Sequence, residues 1–423
     1  MAKVFVLETA VYYKGDIILK TVKRNESKNL EFSLNQIHIS EEKYQMNKKV
    51  MLLVGFVFLA LFMVACGGGE TTTETVTVEV TRIVEVPAES SEAAPAEPVA
   101  VEFAGGGDTL AQVQSRGTLN CGGNANVPGF GYLDPDSGDF SGFDIDFCAA
   151  IAAAVFGDAT KFEVTPTTGQ SRFPTLQSGE IDVLIRNTTH TLSRDTALGF
   201  DFVPITFFDG QGMMVRKDSG IETLADLEGA TICVQAGTTT ELNLAQYYDG
   251  IGVSYEPLVF PDAPSTLEAY DSGACDGFTT DKSGLVSQQI LLADPEAHTI
   301  LVEDMSREPL GPLTRHGDNN WNDIVAWTVY CTFNAEFLGV NQENVDSMLG
   351  GDDPVISDLL GETANLGEAL GLPNDFCYQI ISQVGNYEDI YNRNLGPDTP
   401  FDLARGLNAL YVDGGIQYPI PFK

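Results

Sequence analysis

The order of apolar and polar positions after residue 108 predicts helices that alternate with strands. Apolar residues recur at helical spacing from Asp146 to Phe156, and Gly157 follows directly. This pattern indicates an amphipathic helix that packs on a core. Short apolar runs at 161–166 and 181–185 predict strands on either side of a helix predicted at 172–178. The alternation is typical of βαβ units, so we expect an α/β fold with a largely parallel sheet.

A second series of the same kind begins near Met213. Residues 231–235 predict a strand, and a Gly/Thr turn follows it. In this turn Thr238 and Glu241 have the spacing of a capping box, in which a hydroxyl and a carboxylate satisfy the first N–H groups of a helix. Two series of strands and helices suggest two structural units.

The polar stretch from Arg186 to Thr196 follows the strand predicted at 181–185. Six of its eleven residues carry a small hydroxyl or amide side chain, and Arg194 stands where a helix would begin. A helix N-terminus favours negative charge, and arginine can bind a carboxylate through two parallel hydrogen bonds. The stretch could therefore bind one small anion. The alternative at this point is a polar turn whose arginine makes a surface salt bridge.

Composition excludes one large class of partner. The formal net charge is −37, with 60 Asp and Glu against 23 Lys and Arg. Nucleic-acid binding needs a basic surface, so we expect no nucleic-acid partner. A strongly acidic surface is compatible with solubility outside the cytoplasm.

Residues 46–65 have the pattern of an export signal. Two lysines precede an apolar run that ends at Ala65, and Cys66 follows. The run is short for a membrane-spanning helix, which needs about 20 residues. Its end resembles the lipobox of bacterial lipoproteins, which implies cleavage before Cys66 and a diacylglycerol group on its sulfur. The alternative is a single-pass membrane anchor.

The segments on either side of this signal are expected to lie outside the folded part. Residues 1–45 precede a complete signal, so we interpret them as a probable non-native upstream extension. Residues 66–107 are rich in Thr, Glu, Val, Ala and Pro, which predicts a disordered tether.

Six cysteines remain if Cys66 is lipidated, and an even number in an exported chain suggests disulfides. Other connectivities remain open, but each of three pairs falls within one proposed structural unit, and these are the pairs we expect: Cys121–Cys148, Cys233–Cys275 and Cys331–Cys377. There is no C-x-x-C and the four His are scattered. We therefore expect no metal and no cofactor.

Several segments together resemble the periplasmic polar amino-acid-binding proteins of ABC importers, and most closely the general L-amino-acid-binding branch. The resemblance covers about residues 108–423. The segments that carry it are 142–146, 176–183, 186–196, 232–241, 280–281 and 394–410. It implies a two-lobed periplasmic-binding-protein-like fold of type II, with mixed sheets flanked by helices and a hinge of two crossover strands.

The resemblance also implies roles for individual residues. Arg194 would bind the α-carboxylate of the ligand, supported by Thr189 and by backbone groups near Asn187. Asp281 would pair with the α-ammonium group.

Three further positions belong to the implied site. Thr239 and its neighbour Thr238 would add N–H donors from the second lobe. Related binders stack an aromatic ring from the segment that is 167–170 here, which has no aromatic residue. His190 stands where close relatives often carry an aromatic residue, so we expect it to line the pocket; the alternative is an ordinary interior histidine.

These observations predict a domain organisation. We expect lobe one at 108–212 and 306–345, lobe two at 213–305, and a mainly helical C-terminal extension on lobe one at 346–423. The ligand would lie in the cleft between the lobes, and its binding would close the hinge.

The predicted function is capture of L-amino acids by a lipid-anchored extracytoplasmic protein that delivers them to the permease subunits of an ABC transporter. Two alternatives use the same fold. One is a cyclohexadienyl-dehydratase-like lyase, which would need an acid–base pair that the sequence does not offer. The other is a ligand-sensing module, which would normally carry a transmembrane segment and a cytoplasmic domain. We therefore expect no enzymatic activity.

Overall fold

A computed structural model describes residues 6–13, 16–24, 30–37 and 107–423. They belong to two compact units, one within Met1–Glu97 and the other within Pro98–Lys423. The predicted signal peptide at 46–65 and the lipidation site Cys66 lie outside the described residues, as does nearly all of the tether. Those expectations therefore remain predictions.

The first unit contains a three-stranded antiparallel sheet with the order β1-β2-β3. Its strands lie in the segment that we had set aside as an upstream extension, and the sequence analysis did not predict them. The strands are β1 (Val6–Tyr13), β2 (Asp16–Arg24) and β3 (Leu30–Ile37).

The second unit is built on two mixed five-stranded sheets, and we call the bodies around them the first and second lobes. The first sheet has the order β10-β18-β9-β4-β8, in which β4 is parallel to β8 and β9, while β18 is antiparallel to its neighbours. Its strands are β4 (Leu119–Gly123), β8 (Phe162–Pro166), β9 (Val183–Leu184), β10 (Phe200–Phe202) and β18 (Leu313–Arg315). A small sheet beside it contains β5 (Asn126–Val127), β6 (Gly131–Leu133) and β7 (Phe140–Ser141).

The second sheet has the order β14-β13-β15-β12-β16. Its two faces pack against different apolar clusters: Met213 belongs to one cluster and the next residue, Met214, to the other. Both faces of the central strands are therefore covered. The strands are β12 (Gln211–Arg216), β13 (Thr231–Gln235), β14 (Glu256–Phe260), β15 (Gly277–Asp281) and β16 (His298–Ile300). Strand β12 begins two residues before the predicted start of lobe two at 213.

Two short strands connect the sheets and form the expected crossover. Strand β11 (Phe207–Asp209) leads from the first sheet to the second, and β17 (Glu308–Leu310) leads back. The two strands pair with each other as a separate antiparallel ribbon, with Asp209 opposite Glu308. The predicted fold class, a two-lobed α/β fold of type II with mixed sheets and two crossover strands, is confirmed.

Helices cover the sheets, and the last of them form the C-terminal part of the chain. Those before residue 300 are α1 (Thr109–Arg116), α2 (Phe143–Phe156), α3 (Arg172–Ser178), α4 (Thr239–Ile251), α5 (Ala263–Asp271) and α6 (Lys282–Gln289). Those after it are α7 (Asn319–Phe337), α8 (Val345–Met348), α9 (Pro354–Leu359), α10 (Leu366–Leu370), α11 (Phe376–Gln383) and α12 (Tyr387–Leu395). Among the described residues, no helix combines the length and apolar character that a bilayer crossing requires.

Helix α2 differs from the predicted amphipathic helix at 146–156 in two ways. It begins three residues earlier, at Phe143, directly after Gly142 with φ +133°. It is also buried on most of its circumference, because α7, α11 and α12 pack around it. This long-range cover is the reason why the helix needs no polar face.

Three disulfide bonds link neighbouring elements: Cys121–Cys148, Cys233–Cys275 and Cys331–Cys377. These are the pairs expected from the sequence. The first joins the first sheet to α2, and the third joins α7 to α11. All six cysteines are buried, so each bond connects two elements inside a core.

The C-terminal segment contacts the start of the crossover. The side chain of Asn408 binds the backbone of Phe208 in β11 from both sides: its Oδ1 accepts the N–H at 2.6 Å, and its Nδ2 donates to the carbonyl at 3.1 Å. Gln417 and Tyr387 donate to the carbonyl of Thr206 at 3.4 and 2.7 Å. The segment therefore fixes the first part of β11 to the first lobe.

Replacing Asn408 by Ala should lower the free energy of unfolding by about 1–3 kcal/mol, because two hydrogen bonds to the partly buried backbone of Phe208 are lost. Chemical denaturation measures this change. The exposed Asn319→Ala serves as the control and should have a much smaller effect. Equal stability of Asn408→Ala and the wild type would contradict the role of this contact.

A buried ion pair joins α7 to the C-terminal segment and makes stability depend on pH. Arg405 donates from Nη2 to Glu336 at 3.0 and 3.1 Å, and its guanidinium lies over Tyr387 and Tyr391. Burial raises the pKa of Glu336 to about 7, although Arg405 opposes the shift. The folded state therefore holds a proton that the unfolded state releases between about pH 4.5 and 7, and this contribution to stability is lost as the pH rises through 7.

The Glu336→Gln variant should lose less stability than the wild type when the pH is raised from 4.5 to 7, since glutamine does not titrate. Denaturation at several pH values measures the slope. An unchanged slope would show that Glu336 does not hold this proton.

Candidate functional site

A cleft lies between the two lobes. Its walls come mostly from the C-terminal ends of strands and from the turns that follow them, which is where open α/β sheets bind ligands. The first lobe contributes Asn124, Val127, Arg172, Arg186 and Asn187. The second contributes Gln235, Thr238, Thr239, Thr240, Ala263, Thr266, Phe278, Thr280, Asp281, Gly284 and Gln288.

The lobes touch each other across the cleft. Ser287 Oγ donates to the carbonyl of Pro128 at 2.7 Å, and Gln288 Nε2 donates to the carbonyl of Asn126 at 2.9 Å. Both bonds join α6 of the second lobe to β5 and the residue after it in the first lobe. The structure is therefore a closed form of the two-lobed fold.

Arg172, at the start of α3, is a buried cation in the first-lobe wall. It donates only long hydrogen bonds, from Nη1 to Thr188 Oγ1 at 3.3 Å and from Nη2 to the carbonyl of Gly237 at 3.4 Å. Its Nε is buried and makes no hydrogen bond within the described part of the chain. Burial, and then the neighbouring charges of Arg194 and Arg186, lower the pKa of Arg172. An unpartnered buried donor is costly, so this wall favours an acceptor from a ligand.

Arg186 lies at the end of β9 and also lines the cleft. Its Nε donates to the carbonyl of Thr167 at 2.9 Å. Burial lowers the pKa of Arg186 to about 10, while Asp144 and Asp281 oppose the shift.

Arg194 is buried as well, although it is not among the residues that line the cleft. Its Nη1 donates to the carbonyl of Thr189 at 2.8 Å, and its guanidinium lies 5.1 Å from the ring centre of Phe173. Burial lowers the pKa of Arg194 to about 10, and the charges of Glu308 and Asp281 counteract this. Arg194 therefore lies within electrostatic reach of the second-lobe carboxylate.

Asp281 faces these cations from the second lobe. It ends β15 and directly precedes α6, and its Oδ1 is buried without a hydrogen bond within residues 107–423. Burial raises the pKa of Asp281, and the nearby carboxylates of Asp209 and Glu308 raise it further, while Arg172 and Arg194 lower it. The site thus has nearby positive charge but no donor bonded to this oxygen within residues 107–423.

Asn187 is held in a left-handed backbone conformation at the end of β9, with φ +37°. Asp144 Oδ2 accepts its N–H at 3.0 Å, and Asn124 Nδ2 donates to its side-chain oxygen at 2.7 Å. Burial raises the pKa of Asp144 to about 7 against the opposing effects of Asn187 and Arg186. These contacts fix the start of the polar stretch that the sequence analysis selected.

Thr238 and Thr239 lie at the start of α4, as the spacing predicted. Thr238 Oγ1 accepts the N–H of Glu241 at 3.1 Å, while the carboxylate of Glu241 accepts from the N–H of Gly237 at 2.9 Å and not from that of Thr238. The cap is therefore a variant of the predicted capping box. It leaves the Thr239 hydroxyl on the cleft side, 3.2 Å from the hydroxyl of Thr189.

The expectation that His190 lines the pocket needs correction. The side chain is 40% exposed and its ring stacks on Phe202, with 4.2 Å between ring centres. It does not line the cleft. Its neighbour Thr189 points the other way, because successive side chains of an extended segment alternate.

Several residues of the site were not predicted. Arg172 was read as the first residue of a helix, and Arg186 as part of a polar stretch. A charged residue that directly follows a strand or opens a helix at the ligand end of the sheet was the available signal. Glu308 and Asp209 gave no such signal, because they lie in the two short crossover strands, which no periodic pattern marks.

The arrangement can bind a molecule that carries both an acidic and a basic group. Donors dominate the first-lobe wall and an unpaired carboxylate oxygen faces them from the second. Within residues 107–423 there is no group of three or more His, Cys, Asp or Glu side chains placed to hold a metal ion.

Comparison with known proteins agrees with this picture. The chain is 51% identical over 317 residues to the general L-amino acid-binding periplasmic protein of Rhizobium johnstonii, covering 74% of this chain and 93% of that protein. It is 45% identical over 324 residues to the glutamate/glutamine/aspartate/asparagine-binding protein of Rhodobacter capsulatus, covering 76% and 96%.

A solved structure shows the same fold. It is an ABC transporter/periplasmic binding protein from Brucella ovis with glutathione bound, with a TM-score of 0.73 and 48% identity, covering 75% of this chain and all of that one. Residues 119–395 match the model of one family over well over half of the chain. The chain therefore belongs to the bacterial extracellular solute-binding proteins, family 3.

Proposed function

We propose that this protein captures L-amino acids in the cleft between its lobes and delivers them to the permease subunits of an ABC transporter. The observation that carries the proposal is a pair of buried, unpartnered polar atoms in one closed cleft, Arg172 Nε and Asp281 Oδ1. One is a cationic donor and the other an anionic acceptor. An amino acid with an acidic or amide side chain satisfies both at once, because its ammonium group meets Asp281 and its side-chain acceptor meets Arg172.

The physical cost of burying charge supports a ligand of this type. An isolated ion loses several kcal/mol of solvation when it enters a closed cleft, unless an opposite charge and hydrogen bonds replace the lost water. An α-amino acid brings an ammonium and a carboxylate that replace the missing partners. The empty closed cleft leaves both protein charges undersatisfied, so ligand binding favours closure.

We assign the two ends of the ligand as the family resemblance implies. The α-carboxylate binds near Arg194, with backbone groups near Asn187 as further donors, and Thr189 lies beside it with its hydroxyl bonded to Glu308. The α-ammonium binds Asp281. Thr238 and Thr239 add donors from the second lobe, where the start of α4 favours negative charge.

The remaining cleft donors favour an acidic or amide side chain on the ligand. Within residues 107–423, Arg172 Nε has no hydrogen bond, and neither does the buried Nε2 of Gln235 on the opposite wall. Both donors call for an acceptor such as a side-chain carboxylate or carboxamide. The relative from Rhodobacter capsulatus, which is named for binding glutamate, glutamine, aspartate and asparagine, supports this choice.

Glutathione is a second candidate ligand. The Brucella ovis relative has it bound, and its γ-glutamyl end presents the same α-ammonium and α-carboxylate as an amino acid. Both candidates would bind through the same α-ammonium and α-carboxylate groups. They differ in the part of the ligand that extends from these groups.

We keep the domain limits as a proposal, with lobe one at 108–212 and 306–345, lobe two at 213–305 and the C-terminal extension at 346–423. The assignment of every strand from β12 to β16 to the second sheet supports it, although β12 begins at Gln211, two residues before the proposed start of lobe two. Two relatives are named as amino-acid-binding proteins, which supports a binder over a lyase.

We also propose that a lipid on Cys66 anchors the protein to the outer face of the cell membrane. Residues 46–65 would be removed as a signal peptide, and 66–107 would separate the binding unit from the bilayer. The sequence pattern around Cys66 supports this.

Calorimetric titration of the full chain with L-glutamate, L-glutamine, L-alanine and glutathione tests the ligand assignment. Arg194→Ala should lower affinity for every ligand by about 100-fold or more, because the shared carboxylate loses a charged partner. Arg172→Ala should lower affinity for L-glutamate by about tenfold or more but change that for L-alanine little, since only an acidic side chain reaches it.

The control is Arg393→Ala, which removes an arginine whose partner is Asp146 on α2. It should bind all four compounds as the wild type does. Wild-type protein that binds none of them would refute the proposed ligand class. Normal binding by Arg194→Ala would refute the site assignment.

Replacing Cys66 by Ser should move the protein from the membrane fraction to the soluble fraction and abolish incorporation of a radiolabelled fatty acid, because the thiol that carries the lipid is gone. Fractionation and labelling of cells that express each variant measure this. A single-pass anchor would be supported instead if the wild type took up no label and the Cys66→Ser variant remained in the membrane fraction.

A further inference from the structure

Glu308 is a buried carboxylate in the crossover strand β17. The residue is only 1% exposed, yet no arginine or lysine of the cleft wall is bonded to its carboxylate. Its two oxygens accept four hydrogen bonds, from the hydroxyls of Thr189, Thr239 and Ser306 and from the amide of Asn243. A buried carboxylate is stable only when such bonds replace its water.

Two of these donors come from opposite lobes and meet at one oxygen. Glu308 Oε2 accepts from Thr189 Oγ1 at 2.6 Å and from Thr239 Oγ1 at 2.9 Å. Thr189 belongs to the first lobe, after β9, and Thr239 is the first residue of α4 in the second lobe. One oxygen therefore lies between the lobes and binds both.

The other oxygen strengthens the contact with the second lobe. Glu308 Oε1 accepts from Asn243 Nδ2 at 2.7 Å, one turn further along α4. Glu308 thus bonds to α4 at two residues one turn apart, Thr239 and Asn243, and to the first lobe at Thr189. Opening the cleft separates Thr189 from Thr239, and Oε2 then keeps at most one of the two bonds.

We propose that Glu308 is a positioning residue for ligand capture, which from the crossover holds the hydroxyls of Thr189 and Thr239 together and stabilises the closed form. The inference rests on the proposed function, because closure serves to retain the ligand. The inference goes beyond that function because it assigns to the closed state a hydrogen-bond network that contains no ligand atom.

A carboxylate suits this position better than an amide. All four of its partners are donors, and a carboxylate offers only acceptors, whereas glutamine would place an NH₂ group against two of them. Bonds to an ionised acceptor are also stronger than bonds between neutral groups. The replacement Glu308→Gln therefore keeps the shape of the side chain and weakens the hydrogen bonds that stabilise the closed form.

The test compares Glu308→Gln with the wild type and with Glu336→Gln, which also neutralises a buried glutamate but lies in α7 and pairs with Arg405. Hydrogen–deuterium exchange of the ligand-free full chain reports closure at peptides 186–194 and 236–244. Stopped-flow measurement with L-glutamate reports the dissociation rate. The substitution should speed exchange at both peptides together and raise the dissociation rate about tenfold or more, while Glu336→Gln does neither.

A mutant cycle separates positioning from general destabilisation. Thr239→Val removes the hydroxyl and keeps the shape, and Thr239→Ser keeps the hydroxyl. Glu308→Gln should have a smaller effect on exchange at 186–194 in the Val background than in the Ser background, because one partner is already lost.

Equal effects in the two backgrounds, or unchanged exchange and dissociation in Glu308→Gln, would overturn the proposal. If the wild type binds no L-glutamate, the proposed ligand class fails on its own, and the exchange experiment still decides the role of Glu308.

Discussion

The burial of opposite charges in one interlobe cleft is the constraint on which the rest of the site depends. The first lobe buries Arg172, Arg186 and Arg194, and the second presents Asp281. None of these arginines forms a direct ion pair with Asp281 in the closed structure. Charges that are not in contact replace only part of the solvation that burial removes. A ligand with both charges supplies what the lobes lack, so charge links recognition to closure in the proposed function.

The crossover strands add a second set of carboxylates, which do not depend on a ligand. Asp209 and Glu308 are direct neighbours on β11 and β17, a pairing of like charges that is unfavourable by itself. Asp209 accepts bonds from Gly210 and from Ser283 at the start of α6, while Glu308 accepts from both lobes. Burial, and more weakly the charge of Glu308, raises the pKa of Asp209 to about 6. The two crossover strands therefore carry a polar network, and donors from the surrounding elements complete its hydrogen bonds.

Local signals predicted the elements better than they predicted the site. The helix at 172–178 and the strand at 231–235 were located to the residue, because turn residues bound each of them. The burial of Arg172 could not be read from the same segment, since the charges that surround it come from residues far away in the chain. The apolar pattern of α2 did not predict that C-terminal helices cover it, because a pattern within one helix does not show which distant elements pack on it. His190 failed for a local reason: alternation directs its side chain away from that of Thr189.

The contacts of the C-terminal segment determine which part of the hinge can move. Asn408 holds Phe208 on both sides, and Gln417 and Tyr387 hold Thr206, so the chain up to the middle of β11 belongs to the first lobe. Asp209 is the first residue beyond this attachment, and β12 of the second sheet begins two residues later, at Gln211. In this crossover strand, the backbone change that opens the cleft therefore falls within a very short stretch around Asp209 and Gly210. This stretch lies beside Glu308, so the pivot and the bond network that closes the lobes occupy the same place in the fold.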